Sequence, residues 1–431
     1  MSDAANVKTL PKFSRRTLLA GTAAAWAFRA TGAFAEDPTV DQLVRGQQKE
    51  WQDKFDNGAA TPVSELKSDH PLLSPDTAGN IEAAIPIMQD IVAKGGWPKV
   101  PDRQRLKIGS RLDAVVKLRQ RLTISSDLPP QQVGYSDIFD SYVDAAVKRF
   151  QVRHGLMPTG IVDQPLFNIM NVSAETRLQQ LETNLIRVRS MSGFLGDRYV
   201  FVNIPAAELE AVEGGRVVAR HNAVVGKIDA QTPILTSKIQ EVTFYPYWNV
   251  PVSIIRKDLI PEMKKDPDYL TKEHIRILDT KGHEIPPSSI NWDSDEASKY
   301  WFRQDPGEIN AMATIKITFP NPYDVYMHDT PFRNLFGENG RFYSHGCMRI
   351  QNVRELVGWL LRDTPPWTLD QIDATIAAGT HVEVKLKAAV PVYTNYITAW
   401  ATREGIIHFR DDIYGRDGIG ELAQLANVME E

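Results

Sequence analysis

Cysteine is almost absent from this sequence of 431 residues, which contains only Cys347. A disulfide within the chain is therefore excluded. Exported proteins often use paired cysteines, and a lone thiol in an oxidising compartment is open to oxidation unless it serves a chemical purpose. Composition alone leaves two interpretations of Cys347: a small buried apolar side chain, or a reactive nucleophile.

Metal-binding patterns, long apolar runs and basic blocks are lacking as well. The nine histidines are scattered, with no His-x-x-x-His pair and no cysteine cluster, so the sequence predicts no metal site and no cofactor. No segment after residue 35 is apolar enough to span a bilayer, so we expect no membrane span after signal cleavage. The formal net charge of -5, without a basic block, argues against nucleic acid as a partner.

The first 35 residues have the order of an export signal. The arginine pair Arg15-Arg16 precedes a small and apolar run over residues 20–28, and an Ala-x-Ala sequence ends at Ala35. This order predicts a twin-arginine signal cleaved after Ala35, and hence a periplasmic protein. An uncleaved anchor is the alternative, but Arg29 leaves the run short of the roughly 20 residues that a spanning helix needs. Cleavage changes the net charge from -5 to -9, because it removes five basic side chains and one acidic one.

The part of the chain between the signal and residue 173 has mainly helical spacing. Residues 36–104 contain no chemical motif and are interpreted as a scaffold region, with helices between Val40 and Phe55 and between Asn80 and Ala93. Residues 105–173 show apolar periodicity in three short segments, the last of which begins at the capping residue Asp163. We therefore expect a small three-helix domain over residues 105–173.

Strand signals dominate from residue 174 onwards. After a linking helix over residues 174–190, we expect six strands, at Tyr199–Ile204, Val217–Val225, Glu241–Trp248, Ala313–Phe319, Val325–His328 and Val382–Leu386. Residues 252–311 interrupt this rhythm with a charged, proline-containing stretch, which predicts a lid insertion; a surface insertion without function is the alternative. Residues 391–431 are predicted to form a C-terminal hairpin and tail. The expected fold class is α+β, with a β-rich domain over residues 174–431.

Cys347 lies in the run Ser344-His345-Gly346-Cys347-Met348-Arg349. A catalytic cysteine needs a nearby base, and donors for the negative charge that develops on a substrate carbonyl oxygen. Two bases are available: His345 is two residues away, and His328 ends a predicted strand whose connecting segment can return it to the thiol. Gly346 gives the backbone freedom to direct amide groups at a substrate. Asn352, just downstream, is predicted to cap a helix with its side chain.

A second motif lies in the three-helix region. A helix that ends in Phe150-Gln151 is followed by His154-Gly155-Leu156 and a glycine-containing turn. This arrangement resembles a peptidoglycan-binding module. The alternative is that these residues only build a helical core, with Gly155 as a left-handed helix terminus, and that glycan binding belongs to the exposed surface of the module.

The run around Cys347, together with His328 in the run Tyr326-Met327-His328-Asp329-Thr330-Pro331, resembles the active-site signature of the L,D-transpeptidases. The resemblance extends over most of residues 195–415. With the upstream module and the long insertion, the chain is similar to the large Gram-negative members that form 3→3 cross-links. The resemblance implies an L,D-transpeptidase catalytic domain that acts on peptidoglycan, with a tetrapeptide donor stem and a diaminopimelate acceptor stem.

The resemblance also implies a role for each residue of the motif. Cys347 would be the nucleophile, and His328, rather than its nearer neighbour His345, would accept and donate protons. His345 and Ser344 would shape the site, the amides of His345, Gly346 and Cys347 would stabilise the oxyanion, and Arg349 would anchor a stem-peptide carboxylate or the loop itself. The alternatives are an L,D-carboxypeptidase, an enzyme that attaches or detaches a lipoprotein, a non-catalytic wall-binding protein and a metal-dependent peptidase.

Overall fold

The computed structural model of the chain describes residues 69–130, 134–191, 193, 195–420 and 422. The predicted export signal at residues 1–35 and the helix predicted between Val40 and Phe55 lie outside this part. Among the described residues, no helix combines the length and the apolar character that crossing a bilayer would need.

In this part of the chain, five helices precede the first strand: α1 Thr77–Ala93, α2 Asp113–Ile124, α3 Ser141–Arg153, α4 Gln164–Met170 and α5 Ala174–Met191. Helices α2 to α4 share one apolar cluster, which includes Leu118 and Phe150. The Asp163 side chain accepts the Leu166 N–H and so caps α4 as predicted, and Gly155 follows α3 at a φ of +76°. The three helices predicted in this region are therefore confirmed.

Fifteen strands follow in the described residues: β1 Arg198–Asn203, β2 Glu208–Glu213, β3 Arg216–Gly226, β4 Leu235–Phe244, β5 Trp248–Asn249, β6 Ile275–Leu278, β7 Glu284–Ile285, β8 Trp301–Gln304, β9 Ile315–Thr318, β10 Met327–His328, β11 Phe342–Ser344, β12 Met348–Ile350, β13 Val382–Asn395, β14 Ala399–Ala401 and β15 Ile407–Phe409. Nine of them form one sheet in the order β11-β3-β12-β10-β9-β4-β13-β1-β2. Because β2 also pairs with β3, eight strands close into a barrel.

Alternation along the strands places every second side chain inside this barrel. Ile315 and Ile317 of β9, Met327 of β10, and Met348 and Ile350 of β12 are buried in its apolar core. Helix α9, Val353–Leu361, packs against the same core through its apolar side. The residues between the buried ones on β9, β10 and β12 consequently lie on the outer face of the sheet.

The six strands predicted from sequence all have counterparts, but their bounds and number differ. Strand β4 begins at Leu235 rather than Glu241, and β13 continues to Asn395 instead of ending at Leu386. Strands β2, β11 and β12 were not predicted. The glutamates of β2 favour a helix by intrinsic propensity, whereas pairing on both sides and burial of Leu209 and Ala211 hold it as a strand. The α+β class with a β-rich catalytic region is confirmed.

The predicted lid insertion, residues 252–311, has a core of its own. A second sheet has the order β5-β8-β6-β7. Against it lie the helices α6 Val252–Ile254, α7 Ile260–Lys265 and α8 Tyr269–Lys272, with the π-helical turn Ile255–Leu259 between the first two. Their apolar side chains, including Ile255, Leu259 and Phe302, form a separate buried cluster. The insertion is thus a folded unit rather than an extended loop.

Strands β14 and β15 form an antiparallel hairpin, which we call the C-terminal hairpin. Its apolar side chains share a buried cluster with α1 and α5. It also contacts α3, since the His154 ring stacks on Phe409 at 5.8 Å and the Arg153 guanidinium donates to the Ile407 carbonyl. The hairpin is therefore one element through which the helical region meets the barrel, and Tyr199, Phe201 and Val212 of β1 and β2 belong to the same buried cluster.

Candidate active site

Cys347 lies directly before β12, in the turn that follows β11, and we call residues 344–347 the nucleophile loop. Its thiol is free and half-buried. The parallel pairing of β10 with β12 sets His328 opposite Arg349, and the antiparallel pairing of β10 with β9 sets His328 opposite Lys316. Since alternate residues of a strand share a face, His328, Arg349 and Lys316 lie together on the outer face of the barrel.

His328 is held in one tautomer by its own backbone. Its Nδ1 lies 2.5 Å from the carbonyl oxygen of Asp329. A carbonyl can only accept, so Nδ1 carries the ring proton and Nε2 keeps its lone pair. Burial, followed by the positive charges of Arg349 and Lys316, lowers the pKa of His328 to about 3. The ring is therefore neutral near pH 7 and able to accept a proton.

The backbone N–H and the hydroxyl of Tyr326 lie close to the thiol of Cys347, and with the nearby cations Lys316 and Arg349 they favour the thiolate. Burial opposes them more strongly and raises the pKa of Cys347. Lys316 Nζ lies 4.4 Å from the centre of the Tyr326 ring. Cys347 and His328 are accordingly a neutral thiol and a neutral imidazole in the resting protein.

Ser344 ties the nucleophile loop together from within. Its hydroxyl donates to the carbonyl of Cys347 and accepts the Gly346 N–H at 3.2 Å. Gly346 has a φ of +107°, a conformation that favours glycine. Because its N–H is engaged by Ser344, the Gly346 amide is not available as the oxyanion donor that the sequence predicted. The amides of His345 and Cys347 stay a prediction.

Thr232 fixes the same loop from outside. Its Oγ1 accepts the Gly226 N–H at 2.9 Å and donates to the Gly346 carbonyl at 2.9 Å, and the side chain is fully buried. In a trans peptide the C=O and N–H point in opposite directions. The bond to Gly346 therefore directs the N–H of Cys347 away from Thr232.

A tyrosine from far downstream braces Thr232 in turn. The hydroxyl of Tyr414 donates to the Gly226 carbonyl and accepts the Thr232 N–H at 3.2 Å. Tyr414 is held by Tyr396, whose hydroxyl accepts the Tyr414 N–H at 2.8 Å and donates to Asp412 at 2.7 Å. The conformation of the nucleophile loop thus depends on residues beyond β15.

Arg349 is a half-buried cation with spare donors. Its Nε is buried and has no hydrogen-bond partner among the described residues, and its guanidinium lies 5.6 Å from the Phe332 ring centre. Burial lowers the pKa of Arg349, while the neighbouring Cys347 raises it. A guanidinium with an unpartnered donor beside the Cys347 thiol is suited to an incoming carboxylate.

His345 faces the insertion. Its Nε2 lies 3.4 Å from Oδ2 of Asp258, which belongs to the π-helical turn Ile255–Leu259. Burial is the main cause that lowers the pKa of His345, and Asp258 opposes it. Trp248 of β5, which pairs with β8 of the insertion, lies close to Tyr326 and opposes the burial that raises the pKa of that hydroxyl. The insertion therefore reaches the nucleophile loop at His345.

Asp329 acts through its backbone and holds its own segment with its side chain. The carboxylate accepts hydrogen bonds from the Thr314 hydroxyl at 2.7 Å and from the Thr330 N–H at 2.8 Å.

The prediction that the Asn352 side chain caps a helix is wrong. Asn352 has a φ of +51° and makes no side-chain cap, while its carbonyl accepts the Glu355 N–H. Left-handed backbone points the side chain away from the first turn of the helix.

Sequence reasoning missed Lys316, Tyr326, Thr232 and Asp258. Alternation could have found Tyr326, because it is two residues before His328 in a predicted strand and so shares its face. The other three come from distant parts of the chain and carry no motif. Within the part of the chain that the structure describes, no three His, Cys, Asp or Glu side chains are grouped as metal ligands would be.

Comparison with known proteins finds two domain matches. Residues 197–384 match the YkuD model, described as an L,D-transpeptidase catalytic domain, and residues 111–170 match a "Putative peptidoglycan binding domain". A Haemophilus influenzae protein named "Putative L,D-transpeptidase" is 34% identical over 248 residues, which are 57% of this chain and 50% of that protein. The chain thus spans about half the length of this curated relative.

Two solved structures are also similar. An L,D-transpeptidase from Stackebrandtia nassauensis shares 14% identity over 69% of this chain and 96% of that chain, with a TM-score of 0.24. An L,D-transpeptidase from Mycobacterium smegmatis shares 12% identity over 46% of this chain and 58% of that chain, with a TM-score of 0.23.

Proposed function

Because the chain carries an L,D-transpeptidase catalytic domain of the YkuD family, C-terminal to a peptidoglycan-binding domain, we propose that it forms 3→3 cross-links in peptidoglycan through a cysteine thioester. The observation that carries the proposal is the common face shared by His328, Arg349 and Lys316, next to the thiol of Cys347. Residues 105–173 would bind the wall, and residues 174–431 would catalyse the reaction in the periplasm after twin-arginine export.

In the first step, Sγ of Cys347 attacks the carbonyl carbon that joins the L-centre of diaminopimelate to the terminal D-alanine of a tetrapeptide stem. Nε2 of His328 takes the thiol proton and passes it to the leaving amine as the C–N bond breaks. The N–H of Cys347, directed away from Thr232, donates to the oxyanion. D-Alanine leaves and a thioester remains.

In the second step, the side-chain amine of a neighbouring diaminopimelate attacks the thioester. His328 accepts its proton, the C–S bond breaks, and the proton returns to Cys347. A base with a pKa of about 3 is neutral at the start of both steps, so no pre-formed thiolate is needed. Arg349 would pair with a stem carboxylate, because its Nε has no partner in the described chain.

The insertion, residues 252–311, would favour transfer over hydrolysis. It contacts the nucleophile loop where Asp258 lies 3.4 Å from His345, and its strand β8 pairs with β5, whose Trp248 lies close to Tyr326. A unit anchored at the site can exclude bulk water from the thioester and leave room for an amine. Hydrolysis by water would make the protein an L,D-carboxypeptidase, and attack by a lysine would make it a lipoprotein-attaching enzyme.

The test is product analysis by mass spectrometry after the purified protein acts on disaccharide-tetrapeptides. We expect 3→3 dimers and free D-alanine from the wild type, and neither from Cys347→Ala or His328→Gln. His283→Gln is the matched control, because that side chain is 74% exposed on the insertion and pairs only with Asp279 among the described residues. Tripeptides without dimers would identify a carboxypeptidase, and dimers from Cys347→Ala would refute the mechanism.

Acylation by a carbapenem gives a second readout that needs no acceptor. We expect one adduct per wild-type chain and none on Cys347→Ala, since Cys347 is the sole cysteine. His328→Gln should slow the adduct without changing its mass.

A further inference from the structure

A cavity of about 320 Å³ lies between the helical region and the C-terminal hairpin. Its walls come from α1, α2, α3 and α5 and from the turn between β14 and β15. Trp97 and Phe409 form part of its apolar lining. No residue of the nucleophile loop lines this cavity, so it is a separate site from the one around Cys347.

The polar lining of the cavity is predominantly positive. Four arginines line it, Arg121, Arg149, Arg153 and Arg177, against the two carboxylates of Asp127 and Glu404. Asp127 is engaged by Arg153, whose Nε and Nη2 donate to its two oxygens at 2.7 and 2.6 Å. The buried carboxylate of Asp411 interacts with Arg177. Arg121 and Arg149 then face Glu404 alone, so the lining keeps a positive charge in a chain whose net charge is -5.

Arg121 is the most constrained of these cations. It is 1% exposed, its Nε donates to the Met170 carbonyl, and its Nη1 has no hydrogen-bond partner among the described residues. Its guanidinium lies 3.7 Å from the Trp97 ring centre. Burial and the charges of Arg153 and Arg177 lower the pKa of Arg121, and the carboxylate of Asp127, which Arg153 already engages, opposes them. A buried cation without a hydrogen-bonded carboxylate is unfavourable unless an anion offsets it.

Backbone strain is found in the same wall. Ser126 lines the cavity with a φ of +62°, although it is not a glycine. Its neighbour Ser125 bonds Asp127, and Arg149 donates twice to the Asp127 carbonyl, so this turn is held in place from both sides. Strain of this kind costs on the order of 1 kcal/mol or more and is concentrated at binding and catalytic sites.

We propose that this cavity binds the carboxylate-bearing end of a peptidoglycan stem peptide. Arginine forks match carboxylates in geometry and charge, and the ring of Trp97 and the side chain of Ile407 offer apolar surface to a methyl or methylene group. The volume is that of a short peptide end rather than a glycan strand. The cavity would hold one stem peptide of the existing wall while Cys347 acts on a second stem peptide. The proposal rests on the proposed function only in taking peptidoglycan as the substrate.

The experiment is calorimetric titration of the full chain carrying Cys347→Ala, so that no turnover occurs. The probe is the tripeptide L-Ala-γ-D-Glu-diaminopimelate, compared with the same tripeptide amidated at its carboxyl groups. In that background, Arg149→Gln is the decisive variant, because Arg149 is only half-buried and its loss does not empty the core. Arg111→Gln is the matched control, since that side chain is 69% exposed in the same helical region and lies outside the cavity.

We expect Arg149→Gln to weaken tripeptide binding roughly tenfold, as loss of a charge-assisted hydrogen bond does, and Arg111→Gln to leave it unchanged. Arg121→Gln should weaken binding further in any protein that still unfolds cooperatively. Unchanged binding in Arg149→Gln, or equal binding of the amidated tripeptide, would overturn the proposal.

A further variant separates the two sites. If Arg349→Gln abolishes binding and Arg149→Gln does not, the tripeptide occupies the catalytic site; the cavity proposal then fails and the transpeptidase proposal stands. If binding depends on Arg149 but the Cys347 enzyme makes no 3→3 dimers, the cavity proposal stands and the proposed function fails.

Discussion

Replacing Thr232 by valine tests whether the nucleophile loop is a prearranged oxyanion site. The two side chains are close in shape, so the change removes a hydroxyl with little change of volume. That hydroxyl joins two buried backbone groups: it accepts the Gly226 N–H and donates to the Gly346 carbonyl, each at 2.9 Å. Thr232 lies outside the signature motif and has no contact with the thiol that the structure shows.

The expected effect on stability follows from those two bonds. Each of the two buried groups left without a partner costs about 1–3 kcal/mol, so the free energy of unfolding should fall by about 2–6 kcal/mol. The effect on catalysis is separate. Without its bond to Thr232, the Gly346–Cys347 peptide can rotate and turn the Cys347 N–H away from the oxyanion. Loss of one such donor lowers kcat roughly 10²- to 10³-fold.

The assay compares kcat for acylation with the rate of thiol alkylation by iodoacetamide. Thr232→Val should lower kcat and leave alkylation nearly unchanged, because alkylation forms no oxyanion. Thr232→Ser keeps the hydroxyl and should retain most of both rates. Wild-type kcat in a folded Thr232→Val protein would refute the reasoning, and so would an equal fall in both rates, since that indicates general collapse of the loop.

Three further predictions concern the thiol, the base and the insertion. Because burial raises the pKa of Cys347, its alkylation rate should rise about tenfold per pH unit to beyond pH 9; a plateau near neutrality would reveal a thiolate–imidazolium pair instead. The pKa of His328 is about 3 in the folded state and 6.5 in the unfolded state, so the unfolded state takes up the proton first as the pH falls. In urea titrations the free energy of unfolding should therefore fall by up to about 1.4 kcal/mol for each pH unit below pH 6.5. His328→Gln should reduce that slope by one proton, and an unchanged slope would contradict the pKa. Asp258→Asn should raise the ratio of tripeptide to dimer in product analysis by loosening the insertion. Asp266→Asn should not, because it removes an exposed ion pair with Lys272 on the same insertion and its amide oxygen can still accept the Asp268 N–H.

The sequence was sufficient for the helical region because its signals are local. The cap at Asp163 and the left-handed Gly155 depend on residues within one turn of themselves. Asn352 shows the limit of such reasoning. The same residue type that caps helices also tolerates left-handed backbone, and the chain that arrives from β12 imposes the second conformation.

In the candidate site, too, the local part could be predicted and the long-range part could not. The motif names Cys347 and His328, but the geometry that joins them comes from strand pairings between distant segments, which no local pattern encodes. Lys316 reaches the site only through the register of β9 against β10, and Thr232 only through the turn after β3. The insertion was visible as a break in strand rhythm, whereas its separate core required the long-range pairing of β6 with β8.

On the proposed function, the brace from Tyr414 through Thr232 to Gly346 has a consequence for the order in which the acyltransferase matures. A ribosome that has just made Cys347 has not yet made Tyr414, so the nascent chain carries the reactive residue before it carries the support of the loop. Full acyl-transfer competence would therefore appear only when synthesis and folding have passed β15. A chain cut before Tyr414 would keep every residue of the signature and behave as a thiol protein rather than as an enzyme.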